Sequence, residues 1–541
     1  MVKVNFYDDM EDSKLKFAVI VSKSRGKWVF CKHKDRDTYE CPGGHREPGE
    51  DILAAARREL FEETGAASYS LKQIGVYSVT GEDDFIHNRQ ETFGMLYYAD
   101  IAEFDALPEY EIEKVVLMEE LPLNWTYPDI QPKLIEKINR ALRSMPISLT
   151  GRQARQFLLR KQGLLGEYRL EGKEGVLAYV RQAGCIQFDP IDVCGKNAEL
   201  VLQSRVKGFQ KQMLAELLYE DRKLLDYFDK NLAIVSTDDW PYLECFREYY
   251  REHSRGKEEV DRIAQEIKRA IKENGPVSSK DIDFNEKVDW YWSSTKLSRA
   301  ALESLYFRGE LIVHHKKGTN KYYALSEEYI PKELLHAPNP FASEPDHLKW
   351  RVLRRISAVG LLWNKPSDAW LGIWDLRAAE RNQVFEELVK EGRLLEITVE
   401  GCKDSFYCVS EDEKLLQEIL SSPEYKERTE LIAPLDCMLW DRKLIRELFG
   451  FDYKWEIYTP EVQRKYGYYV LPVLMGERFA ARVEVIAAYK DKKLTVKHIW
   501  LEKDVRPTKK LYKELDKCFL RFMKFHGLKE VIYQEKQEEG Q

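Results

Sequence analysis

Long apolar runs are absent from this sequence. Its 541 residues have a mean hydropathy of −0.52, and no stretch reaches the roughly 18 consecutive apolar residues that a membrane-spanning helix needs. Residues 1–14 also lack the apolar core of a secretory signal. The sequence therefore predicts a cytoplasmic protein without a membrane partner.

Cysteine is scarce and scattered along the chain. Nine cysteines are present, which is an odd number, and no two of them stand in the Cys-x-x-Cys spacing that is typical of zinc sites. We therefore expect reduced thiols, with neither a disulfide framework nor a zinc site built from cysteine.

Length and composition predict a folded protein with several domains. A content of 44% hydrophobic and 33% charged residues excludes a disordered or collagen-like chain, and about 150 residues per domain predicts three or four domains. Acidic residues exceed basic ones in the first 145 positions, whereas the rest of the chain is balanced. The net charge of −7 therefore neither supports nor excludes nucleic-acid binding, for which local basic clusters are needed.

The first 145 residues contain alternating signals for strands and helices. Strands are predicted at Phe17–Ser22, Lys27–His33, Ile74–Val79 and Thr92–Ile101, and helices at Asp51–Glu63 and Pro132–Arg143. Ser-Arg-Gly between the first two strands indicates a hairpin. This order predicts an α/β domain over residues 1–145, with a boundary near residue 146.

An acidic motif covers the first predicted helix and the loop before it. It reads Gly44-x5-Glu50-x7-Arg58-Glu59-Leu60-x-Glu62-Glu63-x-Gly65-Ala66. Glu59, Glu62 and Glu63 stand at i, i+3 and i+4, so they share one face of a helix. Their repulsion destabilises the helix unless a hard cation, Mg²⁺ or Mn²⁺, binds them together with substrate phosphate. The alternative is a solvated acidic face with Arg58 as its ion-pair partner.

This motif resembles the Nudix box at every position. The resemblance implies an α/β/α sandwich that hydrolyses a nucleoside diphosphate linked to another group, or a sensor of such a nucleotide. It implies metal ligands at Glu59, Glu62, Glu63 and the Gly44 carbonyl, with Arg58 as an orienting partner and Glu50 supporting the metal shell. Family members often carry a further glutamate in a late loop as ligand or general base. Glu111 fits this position best, with Glu113 as the alternative.

Two copies of one pattern lie in the later part of the chain. Gly309 and Gly392 each follow an amphipathic helical segment and precede a predicted β-hairpin. In the first copy the turn of the hairpin is predicted at Lys316–Asn320. Shorter helical stretches come before it at Ile263–Glu273 and Ser279–Ile282. Helices followed by a hairpin are typical of winged-helix domains.

A basic cluster marks the first predicted hairpin. Lys316, Lys317 and Lys321 lie there, and lysines on such a wing are suited to contact DNA phosphates. The proline-rich segment His336–Pro345 separates the two copies like a linker. The alternative for these modules is a protein-interaction surface or a scaffold.

Residues of about 147–530 resemble the AlkZ/YcaQ family of winged-helix DNA glycosylases. The resemblance rests on Gln187–Ile191, Leu200–Arg205, Leu217–Tyr227, Ala433–Arg442, Leu448–Tyr453, Glu456–Pro460 and Arg464–Pro472. It implies excision of alkylated or crosslinked purine bases from double-stranded DNA, with Gln187 and Asp189 positioning the attacking water. Arg442 and Arg464, within these segments, are further candidates for DNA contact.

The residue chemistry at 185–193 suits cleavage of a glycosidic bond. In an alternating strand over these residues Gln187 and Asp189 would share one face, with Phe188 on the other. A carboxylate stabilises an oxocarbenium-like sugar and accepts a proton from water, while an amide holds that water. No lysine lies in this segment, so a monofunctional glycosylase is expected rather than a lyase. The alternative is that Gln187 and Asp189 are turn and cap residues of a buried strand.

Four positions depart from the family pattern. Family members often carry Arg-x-His where this chain has Lys196 and Asn197 after Gly195, a tryptophan where it has Gln203, and a histidine where it has Asn231. These departures bear on substrate preference and on glycosylase activity rather than on the fold.

The sequence as a whole predicts a multidomain α/β and α+β protein. The predicted regions are a Nudix domain at 1–145, a first winged-helix and catalytic region at 147–255, winged helices at 256–335 and 346–425, and a β-rich domain at 428–541. The functional hypothesis is a fusion of a nucleotide hydrolase with a DNA glycosylase. The rival is a Nudix hydrolase or nucleotide sensor fused to a DNA-binding regulatory module without glycosylase activity.

Overall fold

Two structural units divide the chain, Met1–Met145 and Pro146–Gln541. The computed structural model describes residues 2–82, 87–143, 146–291 and 293–534. Within these ranges no helix is both long and apolar enough to cross a membrane. The division falls where the sequence predicts the end of the first domain.

The first unit is built around one mixed sheet. Its elements are β1 (Lys3–Tyr7), β2 (Leu15–Ser24), β3 (Lys27–His33), β4 (Gly43–His45), α1 (Ile52–Thr64), β5 (Ala66–Glu82), β6 (His87–Phe104), β7 (Ile112–Met118) and α2 (Gln131–Arg143). The sheet order is β1-β5-β6-β2-β3-β7, with β4 paired to β2. β2 runs parallel to β6 and antiparallel to β3, which confirms the predicted hairpin.

The two helices of this unit cover opposite faces of the sheet. Ile52 and Leu60 of α1 pack into one apolar cluster with Ile20 of β2. Ile135 of α2 packs into the other with Val21, which points the opposite way because neighbouring strand residues alternate. The unit is therefore an α/β/α sandwich.

The first part of the second unit alternates short strands and helices. Its elements are β8 (Ile147–Leu149), α3 (Gly151–Lys161), β9 (Leu170–Glu171), α4 (Gly172–Ala183), β10 (Cys185–Gln187), α5 (Asn197–Gln203), β11 (Val206–Lys207), α6 (Lys211–Tyr219), β12 (Leu224–Asp229), β13 (Asn231–Ser236), α7 (Glu244–His253), α8 (Lys257–Asn274), β14 (Lys287–Val288), β15 (Thr295–Lys296), α9 (Leu297–Phe307), β16 (Leu311–Lys317), β17 (Asn320–Leu325), α10 (Ser326–Tyr329) and α11 (Lys332–Leu335). β10, β13 and β12 form one antiparallel sheet.

The second part ends in a larger sheet. Its elements are α12 (Glu344–Val359), β18 (Leu362–Trp363), α13 (Ala378–Lys390), β19 (Leu394–Val399), β20 (Phe406–Val409), α14 (Glu413–Leu420), β21 (Thr429–Leu431), α15 (Arg442–Phe449), β22 (Val470–Met475), β23 (Arg478–Ala488), β24 (Lys493–Leu501), α16 (Lys509–Phe525) and β25 (Glu530–Tyr533). The sheet β21-β22-β23-β24-β25 makes this region β-rich, as its sequence predicts.

Both predicted helix–hairpin pairs are present. α9 leads into β16–β17 and α13 leads into β19–β20, and both hairpins are antiparallel. Gly309 (φ 75°) and Gly392 (φ 70°) end the two helices in the left-handed conformation that favours glycine. The winged-helix assignment of these segments stays a prediction.

Two local predictions in the first copy are wrong. Ser279–Ile282 is not a helix, because the Ser278 N–H donates to Asp281 Oδ2 at 2.8 Å and fixes a turn. The hairpin turn is also narrower than Lys316–Asn320, since β16 continues through Lys317.

Two predicted regions of the second unit are joined by a strand pairing. β8 lies at the start of the predicted 147–255 region, yet Ile147 pairs in parallel with Ile397 of β19, in the predicted 346–425 region. These two predicted regions therefore contribute strands to one sheet.

Candidate active sites

Arg58 lies at the centre of the acidic motif in the first unit. Its guanidinium donates to both Glu50 oxygens at 3.0 Å, to Glu59 Oε1 at 2.8 Å and to Glu62 Oε2 at 3.2 Å. The Arg58 hydrogen bonds lower the pKa of Glu50. One arginine thus holds three of the predicted site carboxylates beside the N-terminal loop of α1.

Glu63 lies apart from this arginine network. Its Oε2 accepts a hydrogen bond from the Gly43 N–H at 2.9 Å. Burial, together with the negative charges of Glu59, Glu40 and Glu111, raises the pKa of Glu63 to about 8. Burial also raises the pKa of Glu59, against the opposing effect of Arg58.

The loop before α1 lies against the carboxylate of Glu59 at Gly44. A Cβ on Gly44 would lie 2.1 Å from Glu59 Oε1. Asp51 begins the helix by accepting from the Leu53 and Ala54 N–H groups, and Gly65 ends it at φ 70°. Local turn and cap chemistry therefore places Gly44 against the acidic face.

The donor set of this face fits a hard divalent cation. All its side-chain donors are carboxylate oxygens, which Mg²⁺ and Mn²⁺ prefer. The raised pKa values of Glu59 and Glu63 reflect buried negative charge that a cation would stabilise. In the described residues no three His, Cys, Asp or Glu side chains are grouped so that they could hold a metal ion, and Arg58 and the Gly43 N–H instead contact the carboxylates.

Glu111 and Glu113 lie in different environments. The Glu111 side chain is 83% exposed, with Oε2 at 3.4 Å from His33 Nε2, and its charge contributes to the raised pKa of Glu63. Glu113 is ion-paired with Lys32. Glu111 is therefore the better placed of the two to act at the acidic face.

Gln187 and Asp189 lie at the end of β10 in the second unit. The strand ends at Gln187, although the Phe188 N–H still donates to Leu232 O at 2.9 Å. Asp189 leaves the sheet, because Pro190 has no N–H to pair and Asp189 Oδ1 accepts from the Ile191 N–H at 2.8 Å. The predicted alternating strand over 185–193 is therefore wrong, and so is the shared strand face of Gln187 and Asp189.

Asp189 nevertheless keeps an unusual environment. It is half-buried, and this burial raises the pKa of its carboxyl despite the Ile191 hydrogen bond. A carboxyl of raised pKa is a stronger proton acceptor once ionised.

Lys230 lies beside Gln187 and was missed by the sequence analysis. It occupies the turn between β12 and β13 and donates to Gln187 Oε1 at 3.3 Å. Its Nζ is 5.0 Å from the centre of the Trp440 ring. Only 5% of the residue is exposed; burial, then the positive charge of Arg355, lowers its pKa to about 8.

Two of the departures from the family pattern contact neighbouring backbone. The buried Asn197 donates from Nδ2 to Gln187 O at 2.8 Å and accepts from the Leu435 N–H at 3.1 Å. Gln203 Nε2 donates to Leu431 O at 3.2 Å. Asn197 therefore ties β10 to the segment that precedes α15.

The other two departures are exposed. Lys196 immediately precedes α5, and Asn231 adopts φ 59° in the β12–β13 turn. That tight turn is what points the preceding Lys230 toward β10.

A buried ion pair joins two of the family-like segments. Arg205 Nη2 lies 2.7 Å from Asp436 Oδ1, and both side chains are fully buried. Arg205 also donates to Gln162 Oε1 at 3.3 Å. This pair fixes Leu200–Arg205 against Ala433–Arg442.

The predicted DNA-contacting residues differ in their surroundings. Lys316 is ion-paired with Asp226 at 2.7 Å and lies 4.0 Å from the Phe188 ring centre. Lys321 is partly buried against Tyr306.

Two of the remaining residues are exposed, and the third is half-buried. Lys317 is exposed at the end of β16, and Arg442 is exposed at the start of α15. Arg464 is half-buried, and its Nε donates to Thr459 O at 2.9 Å.

Two family models match the chain. The NUDIX domain matches residues 12–138, and the DNA glycosylase AlkZ-like model matches residues 180–525. YtkD of Bacillus subtilis strain 168, named as a candidate 8-oxo-dGTP diphosphatase, is 38% identical over 124 residues. These residues are 23% of this chain and 74% of YtkD.

Solved structures resemble each part of the chain. The pyrophosphohydrolase BsRppH of Bacillus subtilis is 30% identical, with 26% of this chain and 90% of that chain covered and a TM-score of 0.23. The DNA glycosylase AlkZ of Streptomyces sahachiroi is 14% identical, with 72% of this chain and 100% of that chain covered and a TM-score of 0.49.

Proposed function

We propose that this chain, which belongs to the AlkZ-like DNA glycosylase family and carries an N-terminal Nudix domain, is a bifunctional enzyme of nucleic-acid maintenance. The first unit would hydrolyse a nucleotide, and the second would excise alkylated or crosslinked purine bases from double-stranded DNA. The observation that carries the proposal is the match of both family models to one chain.

For the first unit we propose hydrolysis of an oxidised purine nucleoside triphosphate. The substrate class comes from YtkD, with which this domain shares 38% identity, so 8-oxo-dGTP is the substrate to test first. Glu59, Glu62, Glu63 and the Gly44 carbonyl would hold Mg²⁺ or Mn²⁺. That ion, when bound, neutralises phosphate charge and lowers the pKa of a bound water.

The protein's own groups would orient and accept protons in this reaction. Arg58, held by both oxygens of Glu50, fixes the carboxylates that face the phosphates. Glu111 is exposed beside the acidic face, where its carboxylate can accept the proton of the attacking water. Metal-dependent release of 8-oxo-dGMP by the full-length protein tests this proposal, and hydrolysis that is unchanged in excess EDTA would contradict it.

For the second unit we propose water attack at C1′ of an N7-alkylated purine nucleotide. The alkylated base is cationic and leaves as a neutral molecule, so no general acid is needed. The Asp189 carboxylate stabilises the oxocarbenium-like sugar and accepts a proton from water, while Gln187 holds that water. Release of 7-methylguanine from duplex DNA tests the proposal.

The Asx turn at Asp189 supports a second candidate function. Because this carboxylate already accepts from the Ile191 N–H, a purely structural role is consistent with its geometry. The second unit would then be a DNA-binding regulatory module. DNA binding by the full-length protein without any base release would favour this candidate.

We expect Lys317 to contact a DNA phosphate. Lys317 is exposed, whereas Lys316 is held by Asp226. Lys317→Ala should weaken binding for all sequences and flatten the slope of log K against log salt by about one unit. Fluorescence anisotropy over a salt series measures this slope.

The matched control is Lys272→Ala, which removes an exposed lysine from α8. We expect the control to keep the wild-type slope. An unchanged affinity and slope in Lys317→Ala would show that the β16–β17 hairpin does not contact DNA.

A further inference from the structure

The β12–β13 turn brings an amine to the proposed base-excision site. Lys230 Nζ lies 3.3 Å from Gln187 Oε1, which is the side chain proposed to hold the attacking water. Gln187 is partly exposed, whereas only 5% of Lys230 is exposed. A sugar bound at Gln187 would therefore have an amine as its neighbour.

Burial is the main cause of the lowered pKa of this lysine. The positive charge of Arg355 lowers the pKa further, Cys185 and Asp368 act against it, and Arg442 contributes least of these groups. Among the described residues no carboxylate lies within 4.0 Å of Lys230 Nζ to form an ion pair, in contrast to Lys316. The lysine is thus buried without the partner that normally keeps an ammonium charged.

This environment suits a nucleophile better than a structural cation. An ordinary lysine has a pKa of about 10.4 and is almost fully protonated at neutral pH. With the pKa of Lys230 lowered to about 8, a substantial fraction carries the neutral amine that attacks carbonyl carbon.

We propose that Lys230 forms an imine with the C1′ aldehyde of an abasic site and so gives the second unit an abasic-site lyase activity. This inference depends on the proposed base excision only as the source of the abasic site, because excision of a base leaves such a site. It replaces the monofunctional glycosylase expected from residues 185–193, where no lysine lies.

The proposed lyase reaction proceeds through imine formation, elimination and hydrolysis. The neutral Lys230 amine adds to the C1′ carbon of the ring-opened sugar, the carbonyl oxygen leaves as water, and the nitrogen loses its protons to that water. Solvent water then accepts a C2′ proton, the electron pair of that C–H bond forms the C2′–C3′ double bond, and the 3′ phosphate leaves with the electrons of the C3′–O bond. Water hydrolyses the imine, which releases an unsaturated aldehyde and restores the amine.

Borohydride trapping on a preformed abasic site tests the proposal directly. The full-length protein is mixed with duplex DNA carrying one abasic site, made by removing uracil, and the imine is reduced to a stable amine with sodium borohydride. We expect a covalent protein–DNA product that peptide mass spectrometry maps to Lys230. Lys230→Met, which suits the buried position, should reduce this product at least about 10-fold while still binding the same duplex.

One control variant and the mapped crosslink make the result specific. Lys272→Met removes a remote exposed lysine and should keep wild-type trapping, and mapping the crosslink on the wild-type protein identifies the amine that reacts. Wild-type trapping by Lys230→Met, a crosslink mapped to another amine, or DNA binding without any trapping would each overturn the proposal. Mapping on the wild-type protein decides the matter even if Lys230→Met does not fold.

The same experiment separates this proposal from the proposed base excision. Because the abasic site is supplied, trapping does not need 7-methylguanine release. Trapping without base release would support the lyase and contradict the glycosylase, whereas base release without trapping would do the reverse. The trapping rate should rise with pH through about pH 8, where half of the amine is neutral, and level off roughly two pH units higher, where nearly all of it is neutral.

Discussion

Replacing Glu63 with glutamine is expected to lower nucleotide hydrolysis by about 10²-fold or more. The amide oxygen can still accept from the Gly43 N–H, as Glu63 Oε2 does at 2.9 Å, so the loop before α1 should keep its position. The change removes one negative charge from the proposed metal-binding face, and metal stabilisation of a phosphoryl transition state is worth several kcal/mol. Steady-state hydrolysis of 8-oxo-dGTP over a range of Mn²⁺ concentrations measures the loss.

The matched control for this variant is Glu47→Gln. Glu47 lies in the same loop with an exposed side chain, so it loses the same charge outside the acidic face. We expect the control to hydrolyse at the wild-type rate. If Glu63→Gln also hydrolyses the substrate at the wild-type rate, Glu63 is not a metal ligand and the raised pKa of its carboxyl has a purely structural origin.

Replacing Asp189 with asparagine is expected to reduce base release by about 10²- to 10⁴-fold, the usual contribution of a positioned general base. The asparagine oxygen can still accept from the Ile191 N–H, which Asp189 Oδ1 does at 2.8 Å, so the turn should persist. The lost interaction is strongest in the transition state, where positive charge develops on the sugar, so DNA affinity should stay close to wild type. Single-turnover release of 7-methylguanine and anisotropy on the same duplex measure the two effects.

Two further variants serve as a comparison and a control for the loss of base release in Asp189→Asn. Gln187→Ala should reduce base release less than Asp189→Asn, because an amide orients water without charge. Asp192→Asn changes an exposed carboxylate three residues away, whose Oδ1 accepts from the Gly195 N–H, and should keep wild-type release. Undiminished release by Asp189→Asn would place the catalytic group elsewhere in the second unit.

The first unit could be predicted from sequence because its signals are local. The β2–β3 hairpin follows from Ser-Arg-Gly between two strand-forming runs, and α1 begins and ends at Asp51 and Gly65, the residue types that start and stop helices. The spacing of the glutamates places them on one helix face. The spacing does not reveal that Arg58 hydrogen-bonds Glu59 and Glu62 but not Glu63, because those contacts depend on the positions of flexible side chains.

The proposed site of the second unit depends on contacts between distant residues. The strand predicted over 185–193 fails at Asp189-Pro190, where a side-chain hydrogen bond to Ile191 replaces a ladder bond. Lys230 joins Gln187 only because β13 pairs with β10, so no motif in the sequence contains both. One signal could have indicated it: an Asp-Lys-Asn tripeptide between two apolar strands predicts a tight hairpin turn.

The surroundings of the basic cluster at 316–321 also depend on residues that are distant in the sequence. Charge alone predicts three equivalent phosphate contacts, but folding pairs Lys316 with Asp226, which is 90 residues away, and partly buries Lys321. Lys317 keeps the exposure that the prediction assumes for all three.

The central claim is that one chain contains two chemically separate active sites. It is tested most directly by measuring 8-oxo-dGTP hydrolysis and 7-methylguanine release on the same preparations of full-length wild type, Glu63→Gln and Asp189→Asn. We expect Glu63→Gln to lose hydrolysis and keep base release, and Asp189→Asn to keep hydrolysis and lose base release. A wild-type protein that binds the duplex and releases no base, or a single variant that abolishes both activities in a folded protein, would contradict it.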